Sequence, residues 1–339
     1  MKAFTINRYG KKVALQATEM PNPEMREDDV LIQINAASVN PVDFKIRDGQ
    51  FKLILPFHLP LVLGNDLAGV VIRVGSRVRQ FKPGDEVYAQ ADSDRMGAFA
   101  EFISIKEDGV ANKPKNLTME EAASIPLVGL TAWQALIERA NLKKGQKVLI
   151  HAGSGGVGTF AIQLAKHLGA IVATTTSTAN MEWVKNLGAD IVIDYRKEDF
   201  ESALHDYDVV LDTVGGETQK KSLRVLKPGG KLIALAGPPD PDFAENIGAT
   251  WILRLAMRLL SYQIRSSAKR RHVSYSFLFM RQNGDQLREI AALIDSGVIR
   301  PVVDRIFPFA STNEAMAYVE NGHAKGKVVI KVNNSITHK

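Results

Sequence analysis

Gly153-Ser154-Gly155-Gly156-Val157-Gly158 fits the pattern G-x-G-x-x-G, a spacing at which a backbone can turn tightly and present its N–H groups to a diphosphate. An apolar run, Lys147 to His151, precedes it. Val157, Phe160, Ala161, Leu164, Ala165 and Leu168 follow at helical spacing. Strand, glycine turn and helix in that order aim the free N–H groups of a helix start at a pyrophosphate, which predicts a dinucleotide site. A glycine-rich turn with no ligand would need none of this context. The kind of dinucleotide depends on the end of the next strand, where a site for NAD carries an Asp or Glu on the ribose 2′-hydroxyl. Here the chain reads Thr174-Thr-Thr-Ser177-Thr-Ala-Asn180, with no acid. A carboxylate would repel a 2′-phosphate, whereas Ser177 and Asn180 can donate hydrogen bonds to it, and Tyr195 and Arg196 can complete the pocket. This predicts NADPH over NADH. The same Ser177 to Asn180 stretch also reads as a cap for the following helix.

The elements that must hold this site follow from the wider pattern. The chain has 339 residues, enough for about two domains at ~150 residues each. From Lys147 to about Leu235, apolar strand patterns alternate with helical ones, which predicts a parallel sheet with crossover helices, the doubly wound Rossmann arrangement. The first ~120 residues instead show short apolar runs, such as Val30 to Ile34 and Gly69 to Val74, separated by turn formers such as Lys82-Pro83-Gly84-Asp85. That predicts a compact β domain. Thr118-Met-Glu-Glu121 reads as a capping box that opens a helical connection. The tail after Asp285 reads helix, strand, helix, strand. The expected division is a β-rich domain over 1–122, completed by 282–339, and a Rossmann domain over 123–281.

Composition narrows the chemistry. There is no cysteine, so disulfides, thiolate nucleophiles, Cys-bound zinc and Fe–S clusters are excluded. None of the seven histidines sits in an H-E-x-x-H pattern. The net charge of +6 is concentrated: between Asn246 and Gly284 stand Arg254, Arg258, Arg265, Lys269, Arg270, Arg271 and Arg281 with no Asp or Glu, and the rest of the chain is close to neutral. A whole-surface argument for nucleic-acid binding therefore fails. The first residues lack an apolar core of a signal peptide, so the protein is expected in the cytoplasm. Ile247 to Leu260, the longest apolar stretch, contains Arg254 and Arg258 and is too short to span a membrane. Within it Trp251, Leu255, Leu259 and Tyr262 fall on one helical stripe. That stripe reads first as an interface or core helix with solvated arginines, next as a lid over a lipophilic pocket, and last as a contact with an anionic membrane surface.

Ordered motifs run through essentially the whole chain: Ser38-Val-Asn40-Pro-Val-Asp43, Leu63-Gly64-Asn65-Asp66-Leu-Ala-Gly69, Gly84-Asp85-Glu86-Val87, Gly97-Ala-Phe-Ala-Glu101, Ile125-Pro-Leu-Val-Gly129-Leu-Thr131-Ala, the glycine turn and Gly326-Lys327-Val-Val. Together they resemble the medium-chain dehydrogenase/reductases, and among these the zinc-independent quinone oxidoreductases and alkenal (enone) reductases. The resemblance implies a GroES-like catalytic domain beside the Rossmann domain, with the active site in the cleft, and a homodimer. Zinc alcohol dehydrogenases of the same superfamily have Cys where Asn40 stands and a His-Glu pair where Asn65-Asp66 stands. Their absence implies a metal-free reaction: hydride passes from NADPH to a small hydrophobic quinone or to the β-carbon of an α,β-unsaturated carbonyl. A metal-free alcohol dehydrogenase and an NADPH-binding sensor or scaffold without turnover are the alternatives.

The resemblance also assigns positions. Asn40, Asp43, Lys45 and Arg47 lie in the segment it places beside the nicotinamide, with Asn40, Asp43 and Lys45 as the catalytic candidates. Lys45 contacts the cofactor or polarises the substrate oxygen, and Asp43 orients its neighbours. A turn before Pro41 and a helix cap explain Asn40 and Asp43 equally well. Thr131 faces the nicotinamide or bonds its own helix backbone. Val214 and Gly215 end the fourth core strand on the adenosine side, and Ala236 and Gly237 end the fifth near the nicotinamide ribose. Phe277, Leu278 and Phe279 close the sheet beside the carboxamide, where the two rings also read as plain core. Lys327 returns to the cleft. The loops 50–60 and 237–276 are expected to shape the substrate pocket.

Overall fold

The β-branched and apolar runs of the first 112 residues form the strands β1 (Lys2–Ile6), β2 (Gln16–Glu19), β3 (Asp29–Val39), β4 (Leu61–Val62), β5 (Asp66–Val74), β6 (Glu86–Gln90), β7 (Phe102–Lys106) and β8 (Val110–Asn112). Helix α1 (Pro41–Arg47) follows β3, and α2 (Met119–Ala123) and α3 (Pro126–Trp133) follow β8. The chain then alternates through β9 (Lys147–Ile150), α4 (Gly156–His167), β10 (Ile171–Thr176), α5 (Met181–Asn186), β11 (Ile191–Asp194), α6 (Phe200–Ala203), β12 (Tyr207–Asp212), α7 (Gly216–Val225) and β13 (Leu226–Ala234). Three helices, α8 (Pro241–Asn246), α9 (Trp251–Leu260) and α10 (Tyr262–Arg270), lead to β14 (Ser274–Phe277). After it come α11 (Gly284–Asp295), β15 (Val303–Pro308), α12 (Thr312–Glu320) and β16 (Lys327–Lys331). The structure is a computed structural model that describes residues 1–52, 57–92, 95–322 and 324–333. It separates into two compact units, residues 1–130 with 281–339, and residues 131–280.

In the second unit β9 to β14 form one parallel sheet in the order β11-β10-β9-β12-β13-β14. Counted from β9 this is 3-2-1-4-5-6, the Rossmann order, whose strand direction of travel reverses between β9 and β12. Leu149, Ala173, Val210 and Leu232, one from each of four neighbouring strands, are fully buried. In the first unit the order is β15-β16-β3-β5-β6-β8, with β7 also on β3, and a smaller sheet runs β2-β1-β4. β3 is the long central strand of this unit, pairing with β5, β7 and β16. Ile32, Ile34, Leu67, Val87 and Ile330 fill its core.

The boundary differs from the one the sequence suggests. The capping box forms, with Glu121 N–H donating to Thr118 Oγ1 at 3.2 Å and Thr118 N–H donating to Glu121 at 2.9 Å. But α2, which it starts, packs on β3 and β5 of the first unit, so the division falls later, between residues 130 and 131 within α3. The expected single helical connection is also broken before Pro126, because a residue preceding proline is driven away from helical backbone. Beyond α3 the helix widens into a π-helical turn over Gln134–Arg139.

Helix α1, which carries Asn40's neighbours, is tied to α12 by a partly buried ion pair. The Arg47 guanidinium donates two bonds to Glu320, at 3.2 and 3.0 Å, and a third to Asp48 at 2.9 Å. With two carboxylates on one guanidinium, loss of either leaves the charge still paired. Glu320→Ala removes two charge-assisted bonds but leaves Arg47 paired with Asp48, and is expected to lower unfolding stability by about 2 kcal/mol in urea titration.

Candidate functional site

The glycine turn is built where β9 turns into α4. Ala152 enters the turn at a positive φ of 53°. Gly153 and Gly158 have no room for a side chain: a Cβ on Gly153 would overlap Thr174 Oγ1, and one on Gly158 would overlap the Ala152 carbonyl. Gly155 caps α4 without a side chain, and the first intrahelical bond is Thr159 N–H to the Gly155 carbonyl at 2.9 Å. The N–H groups of Gly156, Val157 and Gly158 thus carry no intrahelical bond, and Ser154 lies half-buried in the turn. A helix start in this state attracts an anion.

Beside the turn lies a cavity of about 740 Å³, lined by His151, Ala152, Thr175, Tyr195, Arg196, Lys197, Val214, Thr218 and Lys221 among others. The Arg196 guanidinium lies over the Tyr195 ring, 5.8 Å from its centre. Ser177 and Asn180 follow β10 and are not among the lining residues. Asn180 is spent locally, donating from Nδ2 to Ser177 Oγ at 3.2 Å and accepting from Trp183 Nε1 at 3.1 Å. Because Ser177 Oγ accepts there, its own proton remains available to donate. Thr176 Oγ1, at the end of β10, is buried with no hydrogen-bond partner among the described residues. An acid does stand close in the fold, one strand over: Asp194 ends β11, accepts from Thr178 Oγ1 and from the Arg196 N–H, and is held below the usual carboxylate range by these bonds.

His151 closes the end of β9. Ser222 Oγ donates to the Thr218 carbonyl at 2.7 Å, so it must accept from His151 Nε2 at 2.9 Å. His151 Nδ1 then accepts from Thr175 Oγ1 at 3.0 Å, which itself accepts from the Ala152 N–H. The bonding network thus assigns the Nε2–H tautomer. Burial drives its pKa down to about 3, so the ring is neutral.

A second carboxylate organises the strand ends on the other side. Asp212 Oδ1 accepts from the N–H groups of Val214 and Gly215, both at 3.0 Å, and Oδ2 accepts from Gln219 Nε2 at 3.0 Å. Burial pushes its pKa up against these bonds. Gln219 Nε2 also donates to the Ala236 carbonyl at 3.0 Å, so the turns at Val214 and at Ala236-Gly237 are held by one network. Phe277 and Phe279 both pack on Phe243, with ring centres 5.2 and 5.6 Å from it, and Leu278 is buried.

The catalytic candidates lie in the first unit. Asp66, fully buried at the start of β5, accepts at Oδ2 from Ser38 Oγ (2.9 Å), Asn40 Nδ2 (2.8 Å) and the Lys327 ammonium (3.2 Å), and at Oδ1 from the Leu127 N–H (2.8 Å). Lys327 Nζ also donates to Asn40 Oδ1 at 2.6 Å and to the Val39 carbonyl at 3.1 Å. Asp43 accepts from the Asn40 N–H at 2.7 Å, the helix-cap bond the sequence allows, and from Asn65 Nδ2 at 2.6 Å. Burial and the neighbouring Asp66 push Asp43 up to about 7, against the pull of Asn40, Asn65 and Lys327. Lys45 is half-buried on α1, its carbonyl accepts from the Gln50 N–H at 3.0 Å, and its ammonium makes no hydrogen bond or ion pair with the described residues. Arg47 is turned instead to Glu320.

Of the residues singled out from sequence, Tyr195, Arg196 and Val214 line the cavity, which reaches the glycine turn at Ala152, and Ala236 is tied to the turn at Val214 through Gln219. Asn40, Asp43 and Lys327 meet in one buried cluster. Lys327, expected to reach the cofactor, spends its donors on Val39, Asn40 and Asp66. Thr131 is buried in α3, and of the loop 50–60, residues 53–56 lie outside the described residues. Sequence reading passed over His151, Asp194, Asp212, Gln219 and the organising role of Asp66. Asp194 and Asp212 carry a usable signal, an acid as the last residue of a core strand.

Two outcomes follow from these contacts. Lys327→Met leaves Asp66 without its cation and is expected to cost about 3 kcal/mol of unfolding stability, measured by chemical denaturation. For His151, the unfolded ring, titrating near 6.5, binds a proton that the folded ring refuses until about 3. It therefore removes stability as pH falls below about 6.5, by roughly 2 kcal/mol at pH 5. His151→Gln is expected to abolish that share of the pH 7 to 5 loss.

Residues 26–115 match the alcohol dehydrogenase GroES-like domain and residues 187–330 the zinc-binding dehydrogenase family. The chain is 37% identical to the mitochondrial NAD(P)H oxidoreductase RTN4IP1 of Danio rerio, over 98% of this chain and 91% of that protein. It is 38% identical to the chloroplastic NADPH-dependent alkenal/one oxidoreductase of Arabidopsis thaliana, over 97% and 79% respectively. The quinone oxidoreductase of Coxiella burnetii superposes with a TM-score of 0.87 at 35% identity, over 98% of this chain and 99% of that one. With its Rossmann sheet, its glycine turn and these similarities over nearly its full length, the chain belongs to the medium-chain dehydrogenase/reductase family of oxidoreductases, in the group of the quinone oxidoreductases and alkenal/one reductases.

Proposed function

We propose that the protein is an NADPH-dependent reductase that delivers hydride to a quinone or to the β-carbon of an α,β-unsaturated carbonyl without zinc. The observation that carries this reading is the Lys327 ammonium between Asn40 and Asp66. A catalytic zinc needs three or four anionic or imidazole donors and an open position. Asn40 and Asn65 offer neutral amides, Asp66 is already saturated by four donors, and a cation fills the space between them, so these residues do not fit the metal. Without a Lewis acid to ionise an alcohol, conjugate or quinone reduction is the chemistry that remains accessible.

NADPH supplies the hydride when bound. The N–H groups of Gly156, Val157 and Gly158 hold its pyrophosphate, and the lack of an acid at the end of β10, with the cations of Arg196 and Lys197 on the cavity wall, favours a 2′-phosphate over a 2′-hydroxyl. Lys45, whose ammonium has no partner among the described residues, binds the cofactor. Asn40 and Asp43 are positioning residues, each fixed by the cluster, and solvent supplies the proton, to the α-carbon of the enolate left by hydride addition or to the oxygen of a reduced quinone. The name of the Arabidopsis relative, an NADPH-dependent alkenal/one oxidoreductase, and that of the Coxiella quinone oxidoreductase support the substrate classes.

Steady-state assays on a panel of alkenals, enones and quinones test the reading. Turnover with NADPH, a higher KM for NADH and no loss after exhaustive chelation are expected. Lys45→Ala is expected to raise the KM for NADPH roughly tenfold, as for one lost charge-assisted hydrogen bond, with little change in kcat. Nucleotide binding without turnover on any member, or activity lost on chelation and restored by zinc, would overturn it.

A further inference from the structure

The acid-free basic segment is not absorbed by the reductase reading, and its helix α9 is built the wrong way round for a soluble surface. An amphipathic surface helix turns its apolar stripe to the core. In α9 Met257 is the buried residue, and the side opposite it carries Trp251, Ile252, Leu255 and Leu259, which are 74, 62, 50 and 67% exposed. Trp251, Leu255 and Leu259 are spaced by four and form one row along the helix. Leu260 and Tyr262 extend the exposed apolar surface to the start of α10. Arg254 and Arg258 form the next row, on the border between the apolar ridge and the protein. At the end of α10, Lys269, Arg270 and Arg271 are exposed as well.

This arrangement has the parts of a helix that lies in a bilayer interface: an outward apolar ridge with an aromatic ring at its start, flanked by cations and free of acids from Asn246 to Gly284. A second copy of the chain is a poor occupant, because a two-fold contact on this ridge would bring two acid-free basic segments face to face. A negatively charged lipid surface matches both the apolar area and the charge. No helix among the described residues is long and apolar enough to cross a membrane, so the contact is with the surface.

We propose that α9 docks the protein on an anionic phospholipid bilayer, with Trp251, Ile252, Leu255 and Leu259 entering the acyl boundary and the adjacent arginines meeting lipid phosphates. The docking stands independently of the reductase reading. The test is sedimentation of the full chain with vesicles of equal parts phosphatidylcholine and phosphatidylglycerol, against phosphatidylcholine alone. Each basic residue near an anionic surface strengthens partition about fivefold, so binding to the mixed vesicles is expected to exceed that to the neutral ones by at least ~tenfold and to weaken at high salt. Leu255→Asp with Leu259→Asp should abolish it with unchanged circular dichroism and melting temperature, since both side chains are exposed. Arg258→Glu with Lys269→Glu should weaken it while leaving the ridge intact. Tryptophan emission should shift to the blue on mixed vesicles, and Trp251→Phe should remove the shift. No sedimentation, equal binding to neutral vesicles, or unchanged binding by the Leu255→Asp, Leu259→Asp variant overturns the proposal. So does a vesicle-independent dimer that the same variant dissolves, which would assign the ridge to a second copy.

Discussion

Asp66 is a fully buried carboxylate, and the first unit is arranged around satisfying it. Four donors reach its two oxygens from four separate places: the end of β3, the start of α1, the start of α3, and β16. A buried charge short of partners is strongly destabilising, so these contacts act together rather than one at a time. Lys327 brings the countercharge, and in doing so it orients the Asn40 amide, whose oxygen it binds and whose nitrogen Asp66 binds. With both ends of that amide fixed, Asn40 has one orientation. Asp43 is then placed by the Asn40 backbone and the Asn65 side chain. The cluster thus joins one ammonium, two amides and two carboxylates in a single hydrogen-bonded network.

The second unit solves a different problem, which is to leave donors free. Its glycine turn gains nothing from side chains: Gly153 and Gly158 are required because neighbouring atoms occupy the places where Cβ atoms would stand. The strand ends around it are held by carboxylates whose oxygens accept backbone N–H groups, Asp194 for the turn after β11 and Asp212 for the turn after β12. His151, kept neutral by burial, links the end of β9 to Thr175 of β10 and Ser222 of α7. These interior bonds fix the loops from below. Arg196 and Lys197 thereby line the cavity, and the N–H groups at the start of α4 keep no intrahelical partner.

Chemistry and placement divide in the same way for the basic segment. A reductase of apolar quinones or enones works on molecules that partition into lipid, and an exposed apolar ridge bordered by arginines would keep such an enzyme close to that reservoir. The charge that dominates the whole-chain balance is then a local device, confined to α9, α10 and their flanks.

What the sequence determined on its own is what short-range physics encodes. The alternation from Lys147 onward, the glycine turn, the capping box at Thr118 and the strands after Asp285 are all written in spacings of two to four residues, and each element forms where its spacing puts it. The capping box nevertheless opens a helix that packs on β3 and β5, because packing rather than capping decides which unit an element joins. Only the tertiary structure brought Lys327 to Asp66 across 261 positions, since no local pattern records which partner a buried charge will find. It also spent the Asn180 amide on Ser177 and Trp183. And it turned the stripe of α9 outward, because helical periodicity states that one face is apolar and leaves to the packing of Met257 which face meets the protein.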